Sequence, residues 1–197
     1  MVSGVSSHMK AQVRSAARIL RRLAPVLVAV SLAAGLATPS AKADQSQPVT
    51  LGPSGLPLPR FVSLKSGRVN MRVGPGTQYE VEWMYLKPGL PMEIIQEYDN
   101  WRRVRDANGA EGWIHQALLS GRRTGVIAPW FQGRETNFPL LADPREGART
   151  IALVEAGAIG EVVTCNGQWC RMTFSGHTGW MEQDAIWGVY PGETITE

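Results

Sequence analysis

Beyond about residue 60, apolar and polar positions alternate in short runs with a period of two, as in half-buried β-strands. Glu93-Ile94-Ile95-Gln96-Glu97-Tyr98 reads as one strand and Trp101 to Asp106 as the next. Asn108-Gly109 then predicts a tight two-residue turn, with positive φ at both central residues, before Gly112 to His115 returns. Gly160 to Cys165, Cys170 to Phe174 and Gly179 to Met181 repeat the plan, with Ser175-Gly176 at the turn. No part of this region carries a sustained 3.6-residue apolar period, so the fold class is all-β.

The repetition extends over whole modules. Asn70-Met71 recurs as Asn137-Phe138, Trp101-Arg102 as Trp169-Cys170, and Gly112-Trp113-Ile114 as Gly179-Trp180-Met181, at offsets of 67, 68 and 67 residues. Co-linear matches at nearly one offset imply two structural copies, 61–123 and 125–192, followed by a tail, 193–197. Strands this short are expected to close, or nearly close, into small barrels, which leave little exposed edge.

The first 43 residues read as a secretory signal peptide. Lys10, Arg14, Arg18, Arg21 and Arg22 precede an apolar run, Leu23 to Leu36, which is short for a membrane span. Ala41-Lys42-Ala43 is a small-x-small cleavage site, so the exported chain should begin at Asp44. Met9 is an alternative start, the general secretory route fits better than a twin-arginine one, and an uncleaved anchor is the competing reading. The expected location is periplasmic or extracellular, with no stable membrane span after cleavage. Residues 44–60, rich in Pro and Gly, read as an extended linker; Leu56-Pro57-Leu58-Pro59-Arg60 within them is a spacer or, alternatively, a polyproline II ligand.

Export changes the charge picture. The whole chain carries +3, but the leader holds six basic and no acidic residues, so the remainder is at −3. The basic balance belongs to the leader, and a nucleic-acid partner is excluded.

Val69-Asn70-Met71-Arg72-Val73-Gly74-Pro75-Gly76 resembles the N-x-R-x-G-P opening of bacterial SH3 domains, and Trp101-Arg102-Arg103-Val104 with Gly112-Trp113-Ile114 resembles their W-x-x-V and G-W-V signature. The second copy departs at its start, with Pro139 in the place of Arg72 and no Gly-Pro, but keeps the Trp and Gly-Trp signals and ends Ile186-Trp187-Gly188-Val189-Tyr190-Pro191-Gly192-Glu193. The chain thus resembles a tandem SH3-like family of exported proteins. The resemblance implies two small SH3-like barrels and binding to peptidoglycan or to an envelope protein.

Parity along the strands selects candidate contact residues. Val104 and Ile114 should face the core of the first copy, which turns Trp101, Arg103, Arg105 and Trp113 to the other face. In the second, Cys170, Met172, Phe174 and Met181 point inward, and Trp169 and Trp180 outward. Trp beside Arg suits stacking on sugars or peptides, so Trp101, Trp113, Arg72, Arg103 and Arg105 form the candidate ligand site, with Trp169 and Trp180 as second-copy equivalents. The competing reading has these Trp covering a barrel end or packing between the copies.

Cys165 and Cys170, the only cysteines, flank a predicted hairpin loop and are expected to form a disulfide in an oxidising compartment. A two-residue turn at Asn166-Gly167 would pair Cys165 with Gln168, whereas a four-residue loop would set the cysteines opposite each other. A Cys nucleophile served by His177 is the sharper alternative, with no third orienting residue. Two Cys and distant His lack metal-ligand spacing, so no metal and no cofactor are expected. No Gly-x-Ser-x-Gly, His-Glu-x-x-His or P-loop occurs, and Glu80 and Glu82 read as solvated charges. The expectation is a non-enzymatic binding protein; the alternative is an accessory subunit whose Trp faces are protein interfaces.

Overall fold

Runs of four to eight residues broken by turn glycines fold into strands in the computed structural model, which describes residues 50–196. The leader, its cleavage site and the choice between Met1 and Met9 lie outside the described residues. A hairpin of β1 (Thr50–Leu51) and β2 (Pro57–Leu58) comes first. Module one follows with β3 (Arg60–Leu64), β4 (Val69–Arg72), β5 (Val81–Tyr85), β6 (Pro91–Tyr98), β7 (Trp101–Arg105), β8 (Glu111–His115) and β9 (Leu119–Ser120). Module two has β10 (Thr124–Ile127), β11 (Asn137–Leu141), β12 (Thr150–Glu155), β13 (Ile159–Asn166), β14 (Trp169–Phe174), β15 (His177–Glu182), β16 (Ile186–Trp187) and β17 (Thr194–Ile195).

The two sheets have the same order. It is β5-β4-β8-β7-β6-β3-β9 in module one and β12-β11-β15-β14-β13-β10-β16 in module two, where β17 also pairs with β13. The neighbours are antiparallel throughout, and β6 and β13 carry a register shift at the equivalent place, after Ile94 and after Val162. Such a bulge sharpens the twist and lets a single sheet curl around one core. The end strands of each path do not pair with each other, so the curled sheets are not closed by a continuous ladder.

Parity fixed the inward residues. Val104, Ile114 and Met172 are fully buried and Met181 nearly so. Val69, Met71, Met92 and Ile94 complete the first core, and Ile127, Leu140, Val162 and Cys170 the second. The registers that align the modules also correct the repeat at its start. Arg72 lies opposite Trp113, and Leu141 lies opposite Trp180. Leu141, not Pro139, therefore stands where Arg72 stands, and Asn70 corresponds to Pro139 rather than Asn137.

Three further expectations change. Residues 50–58 are not a spacer but a docked hairpin, and Arg60 already belongs to β3. Ser54 gives Glu97 its backbone N–H at 2.9 Å and its hydroxyl at 2.8 Å, while Arg60 donates at 2.6 Å and Arg102 Nε lies at 3.3 Å. Burial alone would raise the Glu97 pKa, but the Ser54 and Arg60 hydrogen bonds and the Arg60 charge outweigh it and hold the carboxyl at about 2. The tail is also structured: Thr194 and Ile195 extend the sheet, and Glu193 pairs with Arg123 at 2.9 Å. Finally, Asn108-Gly109 is not a two-residue turn. Only Gly109 has positive φ (+85°), and the Asp106 carboxylate accepts the N–H groups of Asn108 and Ala110, spanning a longer loop. Ser175-Gly176 does form the tight turn, with φ of 46° and 87°.

The modules meet through Phe61, whose ring packs on Trp187 at 5.1 Å and Tyr190 at 4.7 Å. Tyr190 donates its hydroxyl to Glu93 at 3.1 Å. Burial, reinforced by that carboxylate, raises the phenol above its ordinary range. Packing between the modules, one role considered for the outward Trp, thus falls to Trp187.

Candidate functional site

Strand β4 sets the site by alternation. Val69 and Met71 enter the core, so Arg68, Asn70 and Arg72 share the opposite face. On β7 and β8, Trp101 lies directly opposite His115, and their rings meet edge to face at 5.4 Å and 89°. Together these five residues with Thr77 and Leu118 line an open cavity of about 310 Å³. Arg72 donates to the Tyr79 carbonyl at 2.6 Å, which ties down the loop between β4 and β5. Gly74 leaves room in that loop for the Tyr79 ring, which any Cβ there would strike. The Asn-x-Arg-x-Gly motif is thus a local device that holds one wall of the cavity.

The candidate residues divide. Trp101 and Arg72 line this cavity. Trp113 shares their face but not the cavity; it stands between Arg103 and Arg72 and meets Tyr98 edge to face at 6.5 Å. Arg103 is neutralised by Glu111 at 2.9 Å, and Arg105 by Glu111 at 2.8 Å and Glu93 at 3.1 Å. These two arginines form a surface ion-pair ladder rather than part of the cavity. The outward reading of module two is corrected: Trp169 is only 4% exposed, sealed by Leu141 and Ala148, with Trp180 packed against them. Strand parity put Trp169 opposite the main core, but a second small cluster covers it there.

Arg68, His115, Thr77 and Leu118, and Asn70 outside its motif, were not proposed as site residues from the sequence. The signal existed for three of them: Arg68-x-Asn70-x-Arg72 has the period of one strand face, and His115 follows Trp113 by two.

Module two holds the equivalent cavity, lined by Pro139, Leu141, Trp169, Glu182 and Ala185 where module one has Asn70, Arg72, Trp101, His115 and Leu118. It measures only about 100 Å³. Apolar side chains narrow it, and an acid replaces the imidazole.

Cys165 and Cys170 sit directly opposite each other, Cα atoms 4.1 Å apart, and are joined in a disulfide. The loop is therefore the four-residue one, turned by Gly167 at φ +94° and by Asn166 Oδ1, which accepts the N–H groups of Gln168 and Trp169. With both sulfurs bonded there is no thiol for His177 to serve.

Among known proteins, YrvJ of Bacillus subtilis (strain 168), named as an N-acetylmuramoyl-L-alanine amidase, is 18% identical over 128 residues, which cover 62% of this chain and 24% of that protein. The chain thus spans about a quarter of the length of this curated relative. Among solved structures, NlpC2 from Trichomonas vaginalis aligns over 66% of this chain and 48% of its own at 15% identity, TM-score 0.28. An NlpC/P60 family protein from Bacillus cereus ATCC 10987 aligns over 64% and 55% at 10% identity, TM-score 0.29. Superpositions this loose carry no argument about arrangement or activity. The bacterial SH3 domain profile matches twice, at residues 65–121 and 134–188, within the two sheets and over more than half of the chain. The chain belongs to the bacterial SH3 domain family, with one domain in each module.

Proposed function

We propose that this is an exported, non-enzymatic protein that binds peptidoglycan through the module-one cavity. The observation that carries the reading is that cavity: an aromatic ring, an imidazole and two arginines converge there, while the equivalent place in module two is narrower and mostly apolar. A relative bears the name of an N-acetylmuramoyl-L-alanine amidase, and this chain matches the bacterial SH3 domain profile twice; both support a wall ligand. The charged leader with its Ala41-Lys42-Ala43 site supports export.

The test is co-sedimentation with purified sacculi, comparing wild type with Trp101→Ala. Wild type should pellet, and the variant should bind more weakly by over about 1 kcal/mol, the scale of an interface anchor. Retained binding by a folded Trp101→Ala would refute the assignment. Mass spectrometry of the protein from its host should find Asp44 at the N-terminus; an intact leader on a cytoplasmic chain would refute export. The accessory-subunit reading has one observation of its own, the exposed Trp83 and Leu86 on and beside edge strand β5. It predicts that envelope proteins, not sacculi, retain the chain.

A further inference from the structure

The two modules hold different cross-strand pairs at one equivalent place. Glu97 lies opposite Arg102 in module one and Cys165 opposite Cys170 in module two, each beside the Trp that begins β7 or β14. A glutamine stands over each pair: Gln116 accepts from Arg102 at 2.5 Å, and Gln183 Nε2 lies 3.8 Å from Cys170 Sγ. Each pair also meets one end of the described chain. The N-terminal hairpin brings Ser54 onto Glu97, and residues 192–195 return along β13 to Cys165. What is an ion pair under one strap is a covalent, reducible bond under the other.

The C-terminal strap is held by a few separate ties. Ile195 lies opposite Cys165 and packs on the cluster that contains both cysteines. Its carbonyl accepts the Thr164 hydroxyl at 2.5 Å. Gln183 donates to the Glu193 carbonyl at 2.9 Å and accepts the Gly192 N–H at 3.0 Å. Arg123 grips the Glu193 carboxylate with both terminal nitrogens, at 2.9 and 3.0 Å. With the strap in place Cys165 is 4% exposed and Cys170 not at all. Yet β17 is two residues long, Thr194 is exposed, and of these ties only Ile195 buries apolar surface. A segment held mainly by polar contacts opens locally at far less cost than the module unfolds.

We infer that the Cys165–Cys170 disulfide is a thiol-exchange site gated by this strap: a thiol reductant reaches it when residues 192–195 lift off β13, without unfolding of module two. Exchange requires a thiolate to contact a sulfur, and in the closed form neither sulfur is accessible. In the open form the thiolate attacks one sulfur, the bond between Cys165 and Cys170 breaks, and the other sulfur leaves as a thiolate that takes a proton from water. A second thiol then displaces the first from the mixed disulfide. Two electrons pass to the protein, and the reductant leaves as its own disulfide. Because Glu193 is gripped by Arg123 at the passage between the modules, the gate is closed from there as well as from β13.

The test follows reduction of the oxidised protein, produced from the full chain, by dithiothreitol at fixed pH, with the released thiols labelled and counted by mass spectrometry. Glu193→Gln loosens the Arg123 grip and should speed reduction about fivefold, the scale of a partly exposed ion pair. Thr164→Val removes an independent tie and should act in the same direction, which keeps the test decisive if the first variant folds poorly. Glu97→Gln is the control. It destabilises the equivalent place in module one but leaves the strap intact, so the reduction rate should not change. Low urea should leave the wild-type rate nearly flat, because local opening exposes little surface. Wild-type rates in both strap variants overturn the inference. So does a rate that tracks global unfolding, rising with Glu97→Gln and steeply from the first addition of urea. A disulfide that no variant allows to be reduced in the folded protein overturns it too, since the strap is then not the barrier.

Discussion

Replacing Glu97 by Gln should cost module one about 3–5 kcal/mol, because it strands buried donors that have no other anion. The Glu97 side chain is 1% exposed, and the Arg102 side chain beside it 9%. Its carboxylate collects two hydrogen bonds from Ser54 and one from Arg60. An amide of the same shape turns two protons toward those donors and leaves Arg102 with only the carbonyls of Asp99 and Trp101 and the Gln116 side chain. A second route reaches a similar size. The carboxyl drops from 4.5 to about 2 on folding. A tenfold change in proton affinity is worth about 1.4 kcal/mol, so the ionised form contributes about 3 kcal/mol. Because the folded value is the lower one, that contribution is complete above about pH 4.5 and disappears as pH falls toward 2. Urea melts at pH 7, 4.5, 3 and 2 should show wild type losing stability through this window. Glu97→Gln should start lower and lose less. Glu161, whose pKa the Arg122 hydrogen bond also lowers, titrates in both proteins and cancels in the comparison. Parallel losses in the two proteins, or a cost below about 1 kcal/mol at pH 7, would refute the assignment of Glu97 as the anchor of the N-terminal hairpin.

Other outcomes follow from single residues. Trp169→Ala should cost about 3–5 kcal/mol in a thermal or urea melt, as for a core aromatic, with sacculus binding of the folded protein unchanged. Gly109→Val should cost at least about 1 kcal/mol, since φ of +85° strains a β-branched residue even though nothing crowds the position. Thiol labelling without reductant should modify neither Cys165 nor Cys170, and reduction should lower stability by about 2 kcal/mol, the chain-entropy value for so small a loop.

The fold was legible because its information is local. Alternation alone placed Val104, Ile114, Met172 and Met181 in the cores, and all four are buried. Spacing and composition anticipated the disulfide, and geometry then chose between its two loops. What escaped depends on long-range partners. Parity tells which face Trp169 occupies but not that Leu141 and Ala148, from an earlier strand and loop, cover it. Matching Asn70 to Asn137 by identity misread β11 by two residues; the buried pair Met71 and Leu140, and the positions opposite Trp113 and Trp180, set the true register. The Pro and Gly that suggested a linker at 44–60 instead shape a hairpin whose anchor, Glu97, is some forty residues away. Here Gly52 has no side chain because the Glu97 carboxylate and Leu58 occupy that space.

The two modules place their unsatisfied groups differently. Natural sequences tend to depart from local rules where function requires it. In module one the shielded atom without a hydrogen-bond partner among the described residues is Asn70 Oδ1, on a residue that lines the cavity. The corresponding cavity in module two is narrowed by apolar packing, and the other shielded atoms without a partner among the described residues, Arg123 Nε and Thr124 Oγ1, lie where the chain passes from one module to the other. There Arg123 also pairs with Glu193 and bonds the Gly188 carbonyl. If module two were a second copy of the binding site, Leu141 and Trp169 would be an odd pair of residues to find in it. Leu141 and Trp169 instead pack with Ala148 into a small second cluster, and exchanging an open, charged cavity for such packing gains stability.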